Sequence, residues 1–336
     1  MSRTSVELRR PLRTDLDDPV RLEAASSSGT AIPGVTVIPD RRFRLQRRLT
    51  LAVTIIPFVG LVAAIATLWG RGIHPTDLSI MFGFYMFTGL GVTIGFHRLF
   101  THQSFEAPGW FRGLLAIAGS MAIQGPVIKW VADHRRHHAY SDHEGDPHSP
   151  HLEAANGVAG ILRGLWHAHI GWFFDKEQTS AKRWAPDLVK EPRMRTIDRL
   201  FPLWGVLSFA LPALLGLVLT RSWQGAVTAF LWGSLVRIFM LHHVTWSINS
   251  ICHYYGERPF ETPDMSTNNW VLSIISFGES WHNNHHAFPT SAVHGVGRAQ
   301  FDMTGALIKV LEKLGLAWNV KVVTDKQLAA KAVPGL

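Results

Sequence analysis

The chain has little of two kinds of residue, cysteine and charged side chains. Cys252 is its single cysteine, so no intramolecular disulfide can form, which agrees with a functional face in a reducing, cytosolic compartment. The motif HExxH is also absent, and this disfavours the chemistry of zinc proteases. Asp, Glu, Lys and Arg make up 17% of the 336 residues and apolar residues 47%, a balance that is unusual for a soluble domain of this size. The composition therefore favours a membrane protein.

Four long apolar runs account for this composition. Each is long enough to cross roughly 30 Å of hydrocarbon as a helix, and the predicted spans cover about residues 49–70, 78–96, 200–219 and 223–248. The last run is interrupted by Arg237, and a weaker run at 111–128 contains Arg112 and Pro126. We predict that this weaker run is an interfacial or half-buried helix. The expected fold is an all-α membrane protein with four transmembrane helices and a cytosolic helical cap.

Arginines next to the first span indicate the orientation. The segment 41–48, RRFRLQRR, contains five arginines, whereas the short loops predicted on the other side, 71–77 and about 220–222, contain one each. The positive-inside rule therefore places both termini and the cap in the cytosol, with the spans in the cytoplasmic membrane. The net charge of +8 fits a protein that faces anionic lipids.

The same pattern divides the chain into three parts. Residues 1–40 have low hydrophobicity and no periodic pattern, so a disordered cytosolic tail is predicted there. Residues 41–310 are predicted to form the integral membrane domain. Residues 311–336 are predicted to be a cytosolic C-terminal tail.

Three clustered histidine motifs stand next to the apolar runs. Their spacings are HxxxxH, HxxHH and HxxHH, and their members are His97, His102, His134, His137, His138, His282, His285 and His286. Neutral imidazole is the commonest metal ligand near neutral pH. Eight imidazoles exceed what one transition ion normally takes. The motifs therefore predict two metal ions at the surface of the membrane.

Helical spacing suggests how these rings are aimed. Positions i, i+3 and i+4 share one face of a helix, so each HxxHH triplet can direct its rings at one ion or at two neighbouring ions. His97 and His102 are about 140° apart around an α-helix, and we expect that they do not share one ion. Asn249 and His253, at i and i+4 after the fourth span, extend the set, with Asn249 as a weak ligand or as the anchor of a bound water.

Other metals and other metal-binding functions are alternatives to a site with two irons. All-nitrogen sites accept zinc, iron or copper, but zinc could not carry electrons, whereas two irons could activate O₂ against an unreactive C–H bond. Axial ligation of haem does not suit clustered i, i+3 and i+4 ligands. A metal transporter or sensor would need ligands along a transmembrane path. The motifs instead cluster at the predicted cytosolic face, which disfavours this alternative. The isolated His74, His151 and His294 are expected to be ordinary hydrogen-bonded residues.

Metal-bound imidazoles also need a partner for their second ring nitrogen. Acidic residues near the motifs in sequence are candidates for this role, namely Asp133, Asp142, Glu144, Asp146 and Glu279. Further histidines are candidates for the same outer layer, namely His143, His148, His167, His169, His242 and His243.

With these motifs the chain resembles the membrane-bound fatty acyl-CoA Δ9 desaturases of the stearoyl-CoA desaturase type, and the actinobacterial members in particular. The resemblance runs from about residue 80 to 300 and is most specific in segments 91–102 (GVTIGFHRLFTH), 130–150, 164–172, 245–260 and 277–289. It implies a di-iron centre held by His97, His102, His134, His137, His138, His253, His282, His285 and His286, with Asn249 acting through a water.

The resemblance also implies a reaction. O₂ and two electrons would convert a saturated acyl chain, such as stearoyl- or palmitoyl-CoA, into a cis alkene, with Δ9 as the expected position. The histidines would hold the irons, and no side chain would act as a separate acid or base. The acyl carrier stays open between CoA, a membrane lipid and a carrier protein. A membrane di-iron fatty-acid or alkane hydroxylase is the alternative, because related histidine-box enzymes insert oxygen instead.

Two groups of residues match positions that shape the acyl tunnel of the family. The bend beside the irons would be formed by Gln124, Trp130, Thr245 and Trp246. The two tryptophans can also be read as interfacial aromatics. The end of the tunnel would lie at Tyr85 and Gly89, where Gly89 would leave room for a C18 chain or a slightly longer one.

Electrons are expected from a separate protein. An HPGG haem motif is missing from the chain, so the resemblance implies a ferredoxin or a flavin/iron–sulfur reductase as donor. The basic segments 41–48 and 182–195 would dock such an acidic partner or a CoA phosphate, or would simply be solvated. No nucleic acid partner is expected.

Overall fold

Helices make up most of the computed structural model, which describes residues 23–25, 31–69, 73–152 and 157–334. The α-helices are α1 (Asp40–Leu68), α2 (Pro75–Leu90), α3 (Gly109–Ser120), α4 (Val127–Tyr140), α5 (Val158–His169), α6 (Ala181–Trp184), α7 (Pro186–Lys190), α8 (Pro192–Arg199), α9 (Phe201–Thr220), α10 (Trp223–Ala229), α11 (Arg237–Ser250), α12 (Trp270–Ile275), α13 (His282–Ala287), α14 (Met303–Lys313) and α15 (Asp325–Lys331). Two π-helical segments, Gly91–Thr101 and Phe230–Val236, continue α2 and join α10 to α11. Short 3₁₀ helices form at Gly171–Phe174 and Ile251–His253.

Four helical stretches are long and apolar enough to cross a membrane, which confirms the predicted fold class. They are Asp40–Thr67, Pro75–Thr101, Phe201–Thr220 and Trp223–His253. The second and fourth are 50% and 67% buried, against 17% for the first and third. The second and fourth spans therefore form the centre of the bundle. They are also the spans that end in candidate histidine ligands, so the more buried helices position these residues.

Arg237 holds the centre of this bundle together without a carboxylate partner. It is fully buried in the fourth span. Its guanidinium donates to the carbonyl oxygen of Gly233 at 3.1 Å and to that of Met121 at 3.2 Å. It also donates to the carbonyl and the hydroxyl of Ser208, at 3.0 Å and 2.8 Å. The side chain thus joins the end of α3, the third span and the fourth span through hydrogen bonds to oxygens.

The weaker apolar run at 111–128 does not form a span. It contains α3 and the start of α4, which are separated by a turn where Gly125 has φ +120°. Arg112 on α3 pairs with Glu191 at 2.8 Å. Helices α3 to α8 and the segments after His253 form a cap over the end of the bundle that carries the histidines.

A small antiparallel sheet was not predicted, and it changes the expected N-terminal tail. The strands are β1 (Glu23–Ala25), β2 (Ala31–Val37) and β3 (Glu177–Thr179), in the order β1-β2-β3. β2 pairs with β3 in the register Val35 to Thr179 and Val37 to Glu177. Val35 is fully buried, so residues 31–37 are ordered against the cap. The rest of the predicted tail, 1–22 and 26–30, lies outside the described residues.

The C-terminal residues also pack on the domain rather than forming a separate tail. Ala317 is buried, and the backbones of Glu106 and Trp318 exchange hydrogen bonds of 2.8 Å and 3.0 Å. The side chain of Lys331 donates to the carbonyl of Ala287 at 2.7 Å. Residues up to 334 therefore belong to the domain, which moves its boundary beyond the predicted residue 310.

Candidate metal centre and adjoining cavity

The nine predicted histidine ligands converge in two groups. In each group the ligand atoms lie within 4.8 Å of one another. The five-histidine group consists of His97, His102, His134, His138 and His285. The four-histidine group consists of His137, His253, His282 and His286. The structure thus divides the ligands between two sites, which the sequence alone had not done.

In the five-histidine group the Nε2 atoms face a common point. Nε2 of His285 lies 3.1 Å from Nε2 of His97 and 3.0 Å from Nε2 of His138, which in turn lies 3.2 Å from Nε2 of His134. Imidazole nitrogens that bind one transition ion at about 2.1 Å lie roughly 3 Å apart. Nε2 of His102 is buried and has no hydrogen-bond partner. This group can therefore hold a metal ion.

A π-helix explains how His97 and His102 reach the same group. The segment Gly91–Thr101 is π-helical, and the amide of His102 donates to the carbonyl of His97 at 3.1 Å, an i to i+5 bond. Positions five apart share a face in a π-helix, whereas they diverge in an α-helix. The two ring centroids are only 4.8 Å apart. The expectation that these residues do not share an ion was therefore wrong, because it assumed α-helical geometry.

The four-histidine group has the same construction. Nε2 of His282 lies 2.9 Å from Nε2 of His253 and 3.1 Å from Nε2 of His286. Nε2 of His137 is buried without a hydrogen-bond partner. His282 and His286 come from consecutive turns of α13, while His253 ends the fourth span. Asn249, one turn before His253, lines the adjoining cavity together with His282.

Carboxylates orient at least four of the nine rings through Nδ1. The pairs are His97 with Glu279, His137 with Asp146 at 2.9 Å, His253 with Asp142 at 2.8 Å and His286 with Asp264 at 2.7 Å. A carboxylate on Nδ1 fixes the tautomer that leaves the Nε2 lone pair free for a metal. This pattern is typical of metal-binding histidines and supports the metal assignment for both groups.

The predicted acidic partners are confirmed in part. Asp142, Asp146 and Glu279 contact ligand rings as expected. Asp133 instead pairs with Lys129 at 2.6 Å, and Glu144 lines the cavity. Asp264 was missed because it lies far in sequence from every histidine motif, and only the fold brings it to His286.

Burial favours the neutral form of several of the candidate ligand rings. Burial lowers the pKa of His102, and so does the neighbouring His138; the pKa of His282 and that of His286 fall for the same two kinds of reason. For His137, burial is outweighed by nearby carboxylates, Asp146 foremost, which raise its pKa. Burial raises the pKa of the Asp142 carboxyl, but the hydrogen bond and electrostatic attraction of His253, together with hydrogen bonds from Ser149 and the amide of Met265, outweigh it and hold that pKa below its usual range. Neutral imidazoles beside ionised carboxylates are the protonation states that metal binding requires.

His294 is not the ordinary hydrogen-bonded residue that was expected. Its side chain is buried, and neither ring nitrogen has a hydrogen-bond partner. Its ring centroid lies 4.4 Å from that of His285, and its Nδ1 lies 3.8 Å from the Glu279 carboxylate that orients His97. No spacing in the sequence marks His294 as part of the site. Its position behind the five-histidine group is visible only in the fold.

Comparison with known proteins agrees with this geometry. The sequence model of the family described as fatty acid desaturase matches residues 75–304. The chain belongs to the fatty acid desaturase family. This stretch covers every ligand of both histidine groups, from His97 to His286.

Individual relatives differ in what their names say they act on. The chain is 43% identical over 297 residues to a hex-5-enoyl-[acyl-carrier protein] acetylenase of Moorena producens (strain JHB), covering 88% of this chain and 92% of that one. It is 39% identical to an acyl-CoA C20 Delta5-desaturase of Anemone leveillei, covering 73% and 74%. It is 38% identical to an sn-1 stearoyl-lipid 9-desaturase of Anabaena variabilis, covering 71% and 81%.

The desaturase has a cavity of 970 Å³ beside the two histidine groups. His97, His134 and His282 are among its lining residues. One part is lined by polar residues of the cap, including Lys176 and Glu177. The other part lies among the central spans and is lined by Gly89, Val92, Leu241 and Phe277. Such a shape accepts a long apolar chain with a polar head at the cap.

Five of the six predicted substrate residues line this cavity, namely Gly89, Gln124, Trp130, Thr245 and Trp246. The amide of Gln124 donates to the hydroxyl of Thr245 at 2.9 Å and accepts from the indole of Trp130 at 3.4 Å. Tyr85 does not line it and packs behind Phe277 instead, with its hydroxyl donating to the carbonyl of Ile275 at 2.7 Å.

Proposed function

We propose that this fatty acid desaturase introduces a cis double bond, at the Δ9 position, into a long saturated acyl chain. The observation that carries the proposal is that both histidine groups border one cavity, with His97 and His134 of one group and His282 of the other on its wall. An acyl chain in this cavity would pass both groups.

The metal that we propose is iron, one ion in each histidine group. Iron supplies the activation of O₂ that removal of hydrogen from an unactivated methylene requires. In balanced form, a –CH₂–CH₂– unit, O₂, two electrons and two protons give –CH=CH– and two molecules of water. The histidines would hold the ions through their Nε2 atoms, and Asp142, Asp146, Asp264 and Glu279 hold four of the rings in place. Asn249 is proposed to hold a water at the four-histidine group.

The bond between Gln124 and Thr245 would set which methylenes face the metal. This hydrogen bond lies on the cavity wall beside the indole of Trp130. In this position the pair is suited to bend the acyl chain near the histidines. A bent chain presents its two hydrogens on one side, which favours a cis product. Trp130 and Trp246 are proposed to form the walls of this bend.

The acyl carrier is proposed to be CoA or a membrane lipid. The cations that line the cavity are already paired with carboxylates, Lys129 with Asp133 at 2.6 Å, Arg136 with Glu177 at 3.2 Å and Lys176 with Asp40 at 2.9 Å. The arginines of segment 41–48 are exposed around Gln46, which lines the cavity. They would receive the phosphate groups that CoA and phospholipids both carry.

A separate protein, a ferredoxin or a flavin/iron–sulfur reductase, is proposed as electron donor. We propose that the enzyme lies in the cytoplasmic membrane with both termini and the cap in the cytosol. The arginines at 41–48, just before the apolar part of α1, support this orientation.

The test is product analysis in a desaturase-deficient host that expresses the chain together with a ferredoxin and its reductase. Stearate and palmitate are supplied, and double bonds in the CoA and lipid fractions are located by mass spectrometry. A new C9 alkene is expected, which H137A and H285A should abolish while H74A, a change at an exposed histidine, leaves it intact. A hydroxylated product would contradict the proposal. The absence of any product from iron-loaded protein with a working donor would also contradict it.

The metal assignment has its own readout. Purified protein should contain two irons per chain, and H285A and H253A should each lose one of them because they belong to different groups. Loss of both irons from each variant would show that the two groups do not bind independently.

A further inference from the structure

Phe277 lines the part of the cavity that lies among the central spans, beside Gly89 and Leu241. Its ring lies where a side chain on Gly89 would be, since a Cβ atom added to Gly89 would stand 2.5 Å from Cε2 of Phe277 and 3.5 Å from Cδ1 of Leu241. Gly89 therefore does not leave open space for substrate. The absence of a side chain there makes room for the ring of Phe277, at the place where the sequence predicted the end of the tunnel.

The ring is held from behind. Tyr85 packs edge-on against it, with ring centroids 5.5 Å apart and planes at 74°. The hydroxyl of Tyr85 is fixed on the carbonyl of Ile275, two residues before Phe277. Val92 and Leu241 complete the buried cluster. The ring thus has protein on one side and the cavity on the other.

The backbone of Phe277 is constrained as well. Its φ is +61°, a left-handed conformation that is uncommon for a bulky residue, and the next residue, Gly278, has φ +101°. The carbonyl of Phe277 accepts from the amide of Thr304 at 3.1 Å, and the amide of Gly278 donates to the carbonyl of Ser273 at 2.8 Å. A Cβ on Gly278 would stand 2.6 Å from the carboxylate of Asp302. Strained backbone of this kind persists where the surroundings fix it, so the ring cannot move away easily.

We propose that Phe277 is the residue that limits acyl chain length, by stopping the methyl end of the substrate. This inference rests on the proposed function, because it requires an acyl chain in the cavity. One methylene more or less against an apolar wall changes selectivity by about 10- to 200-fold, so a change in the size of this side chain should move the preferred length.

The test compares F277A, F277L and F277W with F209A, which removes a ring from the third span that does not line the cavity. Acyl chains of 14 to 20 carbons are supplied singly, and kcat/KM is measured for each. F277A should raise the ratio of C20 to C16 turnover by at least about tenfold, F277L by less, and F277W should lower it. F209A should leave the ratio unchanged.

A double variant distinguishes obstruction of the cavity by the ring of Phe277 from a general loosening of the helix bundle. G89A alone should displace the ring of Phe277 into the cavity and favour shorter chains, whereas G89A in the F277A background should be accommodated and return the length preference toward wild type. Loss of iron identifies variants that have failed to fold. If F277A fails to fold, the length preferences of F277L and F277W still test the inference.

The outcomes can be told apart. Unchanged length ratios in all folded Phe277 variants would overturn the inference. If the wild type gives no alkene from any chain, the proposed function itself fails. Equal changes of the C20 to C16 ratio in F209A and F277A would mean that the bundle is loosened in general. This result would also overturn the inference.

Discussion

The guanidinium of Arg98 donates to both carboxylate oxygens of Asp302, at 3.1 Å and 3.0 Å. The same side chain also donates twice to one oxygen of Glu279, at 3.1 Å and 2.8 Å, and Glu279 contacts Nδ1 of His97. One buried arginine thus connects the second span, the C-terminal part of the cap and a metal ligand.

We expect R98K to weaken this connection, because lysine cannot reproduce the planar fork of arginine. Removing one partner of a buried ion pair costs about 3–5 kcal/mol. Lysine keeps the charge but loses most of these hydrogen bonds, so a part of that cost, seen as a lower melting temperature, and loss of iron from the five-histidine group are expected. Differential scanning fluorimetry and iron analysis measure both. R112K, at the half-exposed pair with Glu191, is the matched control and should change stability by about 1 kcal/mol or less. Equal effects of the two variants would contradict this account.

D264N should reduce metal affinity at the four-histidine group. The carboxylate of Asp264 accepts from Nδ1 of His286 at 2.7 Å, and loss of such an outer partner typically costs about 10- to 100-fold in metal affinity. Competition with a chelator of known affinity measures the change. D133N removes a carboxylate that pairs with Lys129 and should retain metal. Full retention of metal by D264N would show that the contact is dispensable.

Q124L should alter where the double bond is placed. It removes the hydrogen bond to Thr245 and leaves the indole of Trp130 without an acceptor. Since a hydrogen bond contributes about 1 kcal/mol, we expect roughly a fivefold shift in the ratio of positional isomers, read by mass spectrometry of double-bond adducts. T245V, which removes only the other end of the same bond, should shift the ratio in the same direction. An unchanged ratio in both variants would exclude a role for this pair.

Metal-free protein should lose stability as the pH falls below about 6.5, the ordinary pKa of histidine. Burial lowers the pKa of His134, His138 and His285. The unfolded chain therefore binds more protons than the folded chain in this range, and the free energy of unfolding decreases as pH decreases. Each such histidine contributes up to about 1.4 kcal/mol per pH unit. Thermal melts between pH 7.5 and 5.5 check this, and a stability that is independent of pH would contradict it.

The sequence was sufficient for features that depend on local pattern. The apolar runs predicted the four spans because hydrocarbon thickness fixes their length. The HxxHH spacing predicted which rings face the site, since α4 and α13 are α-helical there. Even so, each triplet is shared between the two groups, with His137 in one and His134 and His138 in the other. This division depends on how the helices meet, and spacing alone does not contain it.

What the sequence could not predict depends on departures from α-helical geometry or on distant contacts. His102 joined the same group as His97 because the segment between them is π-helical. Asp264 and His294 reach the ligands only through loops of the cap. Phe277 lines the cavity beside Gly89 from a backbone with a positive φ angle, and nothing in the local sequence marks such an angle.

The π-helical segment Gly91–Thr101 makes the length of the second span as important as its composition. Because every residue of a helix turns the chain by a fixed angle, which differs between π- and α-helices, removing one residue from this segment would change the rotation of His97 relative to the membrane half of the span. His97 would then face away from His285, or Gly89 would face away from Phe277. The number of residues in this segment therefore fixes the orientation of His97 relative to that of Gly89. This stretch should accept replacement of side chains more readily than insertion or deletion.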